Sequence, residues 1–240
     1  MTTQTPPLSL GEIGFIGTRA AVGVGVPFGL GEDLAGSLIR LACAGFDPTA
    51  VCVAALDSLE RGDSTGALEV AAGEGFLDMR GTGGQAVSAI YAGPAVRDHL
   101  LAHPGIGRIL AEAVDQPLLL AAALNPGDVE VTVSWDGARV AFAGGTWREI
   151  AARDETALLS PGPSRITVEA GSGTAERPSG PVWTDKEFQA AREHALNRGV
   201  SVEVGAWERT FSYFERCLAR IRFNPGRILR QRRSSRIRWA

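Results

Sequence analysis

The sequence predicts an α/β or α+β fold in which an N-terminal helical lobe packs on a mixed β-sheet. Three observations point there. Residues 8–62 carry helix-start and helix-stop signals around apolar residues at helical spacing. The middle of the chain mixes short apolar runs with helical stretches, as in proteins that layer helices on a sheet. Val129–Ser134 and Arg139–Ala143 alternate around Asp136-Gly137, which predicts an antiparallel hairpin near residues 129–143.

Residues 1–7 read as a disordered start, with neither the charged nor the apolar region of a signal peptide. Ser9-Leu10-Gly11-Glu12 fits a capping box, and Ile13, Ile16, Ala20 and Ala21 share one face of a helix to about Val22. A second helix is expected over 30–44. Asp47-Pro48 then starts a third, which runs to about Arg61. Ala67–Ala72 reads as a strand. Val87–Tyr91 and Leu118–Leu124 suit buried strands, although periodicity alone does not separate such runs from helix. Pro94–His103 and Ile106–Val114 read as helices, Ser164–Ala170 as a strand and Gly171–Pro181 as a loop. Asp185–Arg198 is expected to be helix, Val200–Val204 a short strand and Trp207–Arg220 helix. Together these suggest one domain over 8–220, with a helical lobe at 8–62, a body at 63–220 and a separate Arg-rich tail at 221–240.

Composition bounds the chemistry. Apolar residues make up 45 % of the 240, enough for a core without staples. Lys186 is the sole lysine, in the polar run Thr184-Asp185-Lys186-Glu187, so a Schiff-base mechanism would have to use it. Cys43, Cys52 and Cys217 have no metal-binding spacing and suit free thiols in a reducing, cytoplasmic compartment. The longest apolar run, Leu118–Leu124, falls far short of the ~20 residues of a membrane helix. The net charge of −3 hides an asymmetry: nine arginines and no acids follow from Arg216 onward, against 15 basic and 27 acidic groups before it.

Arg80-Gly81-Thr82-Gly83-Gly84-Gln85 is the best ligand-loop candidate. Successive glycines let backbone N–H groups approach a phosphate or carboxylate, and Arg80 supplies charge; the alternative is a Gly-rich surface turn. There is no P-loop, and Gly23–Gly29 lacks the preceding strand that a dinucleotide loop requires. His99 and His103 lie four residues apart, at metal-ligand spacing, but no glutamate follows His99, and a third ligand would have to be His194 or a carboxylate such as Asp98. The expectation is no metal; the two histidines are weak candidates for acid–base chemistry. The cofactor is left open. The terminal arginines with Trp239 could grip a polyanion, fold back on the acidic body or stay disordered, and nucleic-acid binding is not the favoured reading.

Leu8–Ile13, Ala20–Leu30 and Ser88–Pro94 together resemble a bacterial family of about this length, domain-of-unknown-function family three-seven-two-six. The resemblance implies a cytoplasmic bacterial protein and brings no catalytic residues with it. Members end in a Gly/Ala-rich segment with a closing acid run. This chain ends in arginines, and the loss of acids after Glu215 suggests a frame change in the coding DNA near residue 220. Gly45-Phe46-Asp47-Pro48-Thr49-Ala50-Val51 with Leu59-Glu60-Arg61-Gly62 is similar to the N-terminal region of malate/L-lactate dehydrogenases of the non-Rossmann type. That family carries an Asp-Ser-His-Gly run there whose histidine serves in catalysis. Thr49 occupies the histidine's position, and threonine does not shuttle protons near neutral pH.

Three functions follow as expectations. The first is a non-catalytic accessory or small-ligand-binding protein linked to metabolism, with a small anionic ligand and a protein as partners. The second is an enzyme on a small carboxylate or phosphorylated substrate, clamped by Arg80–Gln85 with His99 or His103 as acid–base group. The third is nucleic-acid binding through the tail.

Overall fold

The computed structural model describes residues 7–103, 105–124, 129–171, 173 and 176–222. Local capping builds the first helices. The Ser9 hydroxyl accepts from the Glu12 amide at 3.2 Å, the Glu12 carboxylate accepts from the Ser9 amide at 2.8 Å, and α1 runs Leu10–Gly23. α2 spans Phe28–Cys43. Asp47 accepts from the Thr49 amide at 2.8 Å, and α3 spans Pro48–Arg61.

The strands are β1 (Ser64–Thr65), β2 (Leu68–Gly73), β3 (Phe76–Gly81), β4 (Ala86–Val87), β5 (Arg108–Val114), β6 (Val131–Trp135), β7 (Ala138–Ala143), β8 (Thr146–Ala152), β9 (Ser164–Ala170) and β10 (Val182–Thr184). They join one mixed sheet in the order β1-β4-β5-β9-β6-β7-β8-β10, and the β2–β3 hairpin attaches to β5 through β3. β1–β4, β3–β5 and β4–β5 are parallel; the other pairs are antiparallel. The remaining helices are α4 (Ala89–Ala102), α5 (Pro117–Ala123), α6 (Glu155–Leu159), α7 (Asp185–Arg198) and α8 (Val204–Arg222). α4 and α5 pack on each other and on α2, while α7 lies against α2 and β8.

The helical layer draws on both ends of the chain, because α8 packs on α1 and α3. Gly23 permits the approach: a Cβ there would sit 2.0 Å from the Tyr213 carbonyl oxygen. Tyr213 is fully buried, with its hydroxyl between Asp57 and Glu60 and the Arg209 and Arg216 guanidiniums 4.6 and 4.8 Å from its ring centre.

The fold class stands, with the hairpin in place as β6 and β7 around Gly137 at φ 73°. Several elements differ from expectation. Leu118–Leu124 forms α5 and the residue after it. The run is buried throughout, so it has no polar phase to reveal its period, and Pro117 starts the helix. Within Val87–Tyr91 only Val87 is strand; α4 begins at Ala89 and carries Pro94 inside it. Of the run Ile106–Val114, Arg108–Val114 is strand rather than helix: its Leu, Ala and Glu favour helix, but pairing with β3, β4 and β9 overrides that weak preference. Within Val200–Val204 the strand character is one bridge from Val200 to Leu8, and α8 starts at Val204. No helix among the described residues is long and apolar enough to cross a membrane. Nearly all of the Arg-rich tail lies outside the described residues.

Candidate functional site

The Arg80–Gln85 loop and the histidines end up on different sides of the sheet. Leu77 and Met79 of β3 are buried, and Leu77 lines a cavity with His99 and His103 of α4. Asp78 and Arg80 alternate with them and so face the other way. Arg80 pairs with Asp78, and Glu69 and Glu112 lie near enough to hold its charge on. Those acids oppose an anion. Gly83 and Gly84 adopt positive φ in an exposed turn, and the Gln85 amide donates to the Gly62 carbonyl at 3.1 Å, tying the turn to the end of α3. The His99 and His103 rings stack with centroids 5.9 Å apart, and among the described residues no third ligand joins them. His194 lies elsewhere, exposed on α7.

The most constrained backbone is at the end of β5. Pairing with β9 slips between Ala111 and Val114, and Ala113 is held at φ 52°, a left-handed conformation that costs an alanine roughly 1 kcal/mol. Gly162 fits beneath this bulge because a Cβ would meet the Val114 carbonyl oxygen at 2.0 Å. The bulge aims Asp115 at the start of α4. Its Oδ1 accepts from the Ala89 amide at 2.8 Å and its Oδ2 from Ser64 Oγ at 2.8 Å; Ser58 donates to Ser64 at 2.9 Å. Burial pushes this carboxyl above the usual range, opposed by those hydrogen bonds. Asp115 is thus a tie among α3, β1, β5 and α4, placed where a negative charge suits a helix start.

Beside it lies a cavity of about 380 Å³ whose polar lining is Asp47, Gln116 and Glu155. This is where the dehydrogenase-like segment falls. Thr49 is buried, and its hydroxyl donates to Asp47 Oδ1 at 2.7 Å. Asp47 also accepts from the Glu203 amide at 2.7 Å, so both of its oxygens serve the framework. With two carboxylates and no cation on this lining, a substrate carboxylate is repelled: at 4 Å and an effective dielectric of 20, like charges cost about 4 kcal/mol.

The opposite charge gathers across the α2–α3 turn. A second cavity, of about 410 Å³, lies between α2, β8 and α7 and includes Arg40, Cys43, Trp147, Arg148, Asp185 and Arg192 in its lining. Arg40 keeps its charge in this lining while its Nε donates to the Ala122 carbonyl at 2.5 Å. Arg148 pairs with Asp185 at 2.9 Å. Arg192 makes no ion pair with a described carboxylate. Burial raises the Cys43 thiol, and the nearby Arg192 charge pulls it back part of the way. Burial thus holds the group as a neutral thiol rather than a thiolate. The Trp147 indole N–H is buried without an acceptor among the described residues. Sequence reasoning misses this site because Cys43, Arg148 and Arg192 are far apart in the chain and form no motif. The one local signal is Trp147-Arg148, an aromatic next to a cation in an unrecognised strand.

No family model matches the chain, and no curated protein matches it in sequence. Solved structures do match its fold. Malate dehydrogenase from Pyrococcus horikoshii aligns with a TM-score of 0.61 over 88 % of this chain and 95 % of its own, at 8 % identity. Sulfolactate dehydrogenase from Methanocaldococcus jannaschii gives 0.58 over 88 % and 97 %, also at 8 % identity. Delta1-piperideine-2-carboxylate reductase from Pseudomonas syringae pv. tomato gives 0.51 over 87 % and 100 %, at 11 % identity. At such identities the likeness is one of fold: the chain has the architecture of malate/lactate dehydrogenase-like proteins over nearly its whole length.

Proposed function

We propose that the protein is an enzyme acting on a small carboxylate, which it holds in the cavity between α2, β8 and α7. The observation that carries this reading is Arg192, which has no ion pair among the described residues, at a cavity that Cys43 and Trp147 also line. A guanidinium is suited to a carboxylate by both charge and shape. The fold supports the same class, since the neighbours named above are dehydrogenases and a reductase whose names specify carboxylates. The reaction does not run through an imidazole at the dehydrogenase-like segment, because Thr49 stands there in a capping network. Nor do the residues fit a dinucleotide at the Arg80–Gln85 loop, where Arg80 is committed to Asp78 among further acids. No hydride step is assigned to this chain.

The reading keeps the resemblance to the bacterial domain-of-unknown-function family and a cytoplasmic setting, which the free Cys43, Cys52 and Cys217 support. The test is incubation of the purified protein with a panel of 2-oxo, 2-hydroxy and 2-imino acids, with and without NADH or NADPH, and product detection by NMR. Turnover that falls in Arg192→Gln and Cys43→Ala is expected. A second reading, a small-carboxylate-binding protein without catalysis, is favoured by Thr49. Tight binding with no product from any panel member would install it in place of the enzyme.

A further inference from the structure

We propose that two copies of this chain associate face to face through α8, the exposed aromatic row of one meeting that of the other.

α8 has two faces with work to do. The inner one holds Thr210, Tyr213 and Cys217, all buried where the helix packs on α1 and α3. The outer one is Trp207, Phe211, Phe214 and Leu218, spaced by four, three and four residues. That alternation is how a helix presents an apolar seam to a second helix. The seam is open to solvent: Phe211 is 38 % exposed and Leu218 40 %. Phe15 of α1, 51 % exposed, widens it, with its ring 5.9 Å from Phe214. Phe214 lies 5.1 Å from Phe211, and Phe211 6.1 Å from Trp207, so the rings form one continuous row. Contiguous exposed apolar surface of this kind marks a contact site, and meeting a like surface removes it from water.

The charges on its two edges select the partner. Each step along a helix turns by about 100°. Thr210, Tyr213 and Cys217 stand one position before a seam residue and face the α1 side, where Gly23 meets Tyr213 and Cys217. Glu208 and Glu215 stand one position after a seam residue and so lie on the opposite edge. Both are exposed, and neither has an ion pair among the described residues. Arg19 stands on the α1 edge with its guanidinium 3.7 Å from the Phe15 ring centre, also without an ion pair among the described residues. One edge is therefore cationic and the other anionic. A two-fold axis along α8 lays each Arg19 edge over the partner's glutamate edge while the aromatic rows meet between them. Such a face is complementary to itself. An anionic membrane or a polyanion would instead meet two glutamates of its own sign.

The experiment is sedimentation velocity on the full-length protein across a hundredfold range of concentration. A species of twice the 25.2 kDa chain mass is expected. Phe211→Glu, at an exposed position, should return it to the chain mass with an unchanged circular dichroism spectrum. Arg19→Glu, and separately the double variant Glu208→Arg/Glu215→Arg, should each weaken association at least tenfold. Mixing those two proteins should restore it, because each reversed edge then meets its opposite. A chain that is monomeric at every concentration would overturn the proposal and leave the row to residues 223–240 or to another protein. A dimer that Phe211→Glu leaves intact would overturn it as well. Dissociation by Phe211→Glu without restoration on mixing would keep the row as the contact and overturn the arrangement of its edges.

Discussion

The two cavities on either side of the α2–α3 turn are similar in size and opposite in charge. One, at the end of β5, is lined by Asp47, Gln116 and Glu155; the other, under α7, has Arg148, Asp185 and Arg192. In the first, the polar groups are spent on the fold. Asp47 caps α3 and receives the Glu203 amide, Thr49 bonds to Asp47, and Asp115 behind them joins four elements. In the second, among the described residues, Arg192 has no ion pair and the Trp147 N–H has no acceptor. The difference teaches that the segment resembling a catalytic one has become scaffold, while unmatched charge has collected on another face of the same helix pair. Substitutions at the two places should therefore separate, stability responding at the first and ligand affinity at the second.

The largest effect is expected at the scaffold. Asp115→Ala leaves the Ala89 amide and the Ser64 hydroxyl without their acceptor in a buried setting. It should lower unfolding free energy by about 3 kcal/mol in urea titrations. A loss under ~0.5 kcal/mol, the usual range for surface changes, would mean the Asp115 tie is idle. Arg192→Gln, at the other cavity, should weaken carboxylate binding by roughly tenfold, equivalent to about 1.4 kcal/mol, while shifting the urea midpoint little. A large stability loss with unchanged affinity would reverse the comparison. Thr49→Val should cost about 1 kcal/mol through the lost bond to Asp47 and leave ligand affinity as it was. Calorimetry on that variant checks both halves, and a collapse of affinity would return position 49 to the site.

The smallest effect is one of pH. Burial, set against hydrogen bonds from Ala89 and Ser64, raises the Asp115 carboxyl above its ordinary value. The folded chain therefore holds that proton more firmly than the unfolded chain. The stability this contributes is fully present below about pH 4 and is lost as pH rises through the raised value. Glu12, Glu187 and Glu203 are lowered by hydrogen bonds and slope the opposite way, so the useful quantity is a difference between proteins. The stability of wild type relative to Asp115→Asn should shrink as pH rises from about 4. Growth with pH would mean that the hydrogen bonds outweigh burial at this carboxyl.

Local chemistry was readable in the sequence, and long-range chemistry was not. Ser9 with Glu12, Asp47 with Pro48, and Asp136-Gly137 each act over two to four residues, so their spacing already states the structure. α5 hides its period because Pro117–Ala123 is buried all round, and β5 is a strand only because β3 and β9 flank it. The site is harder still. The Gly-rich loop has the right residues for an anion, but Arg80 pairs with Asp78 two residues before it, and Glu69 and Glu112, which add to that, come from neighbouring strands and are silent in the linear motif. Arg192 becomes interesting only once α7 lies against α2 and β8 and no carboxylate is found for it.

The most direct measurement is a crystal structure of the protein with 4-methyl-2-oxopentanoate, a small carboxylate that also carries a reactive carbonyl. The account predicts its carboxylate within hydrogen-bond distance of Arg192. A ligand bound instead beside Asp47 and Gln116, or along Gly81–Gln85, would contradict it.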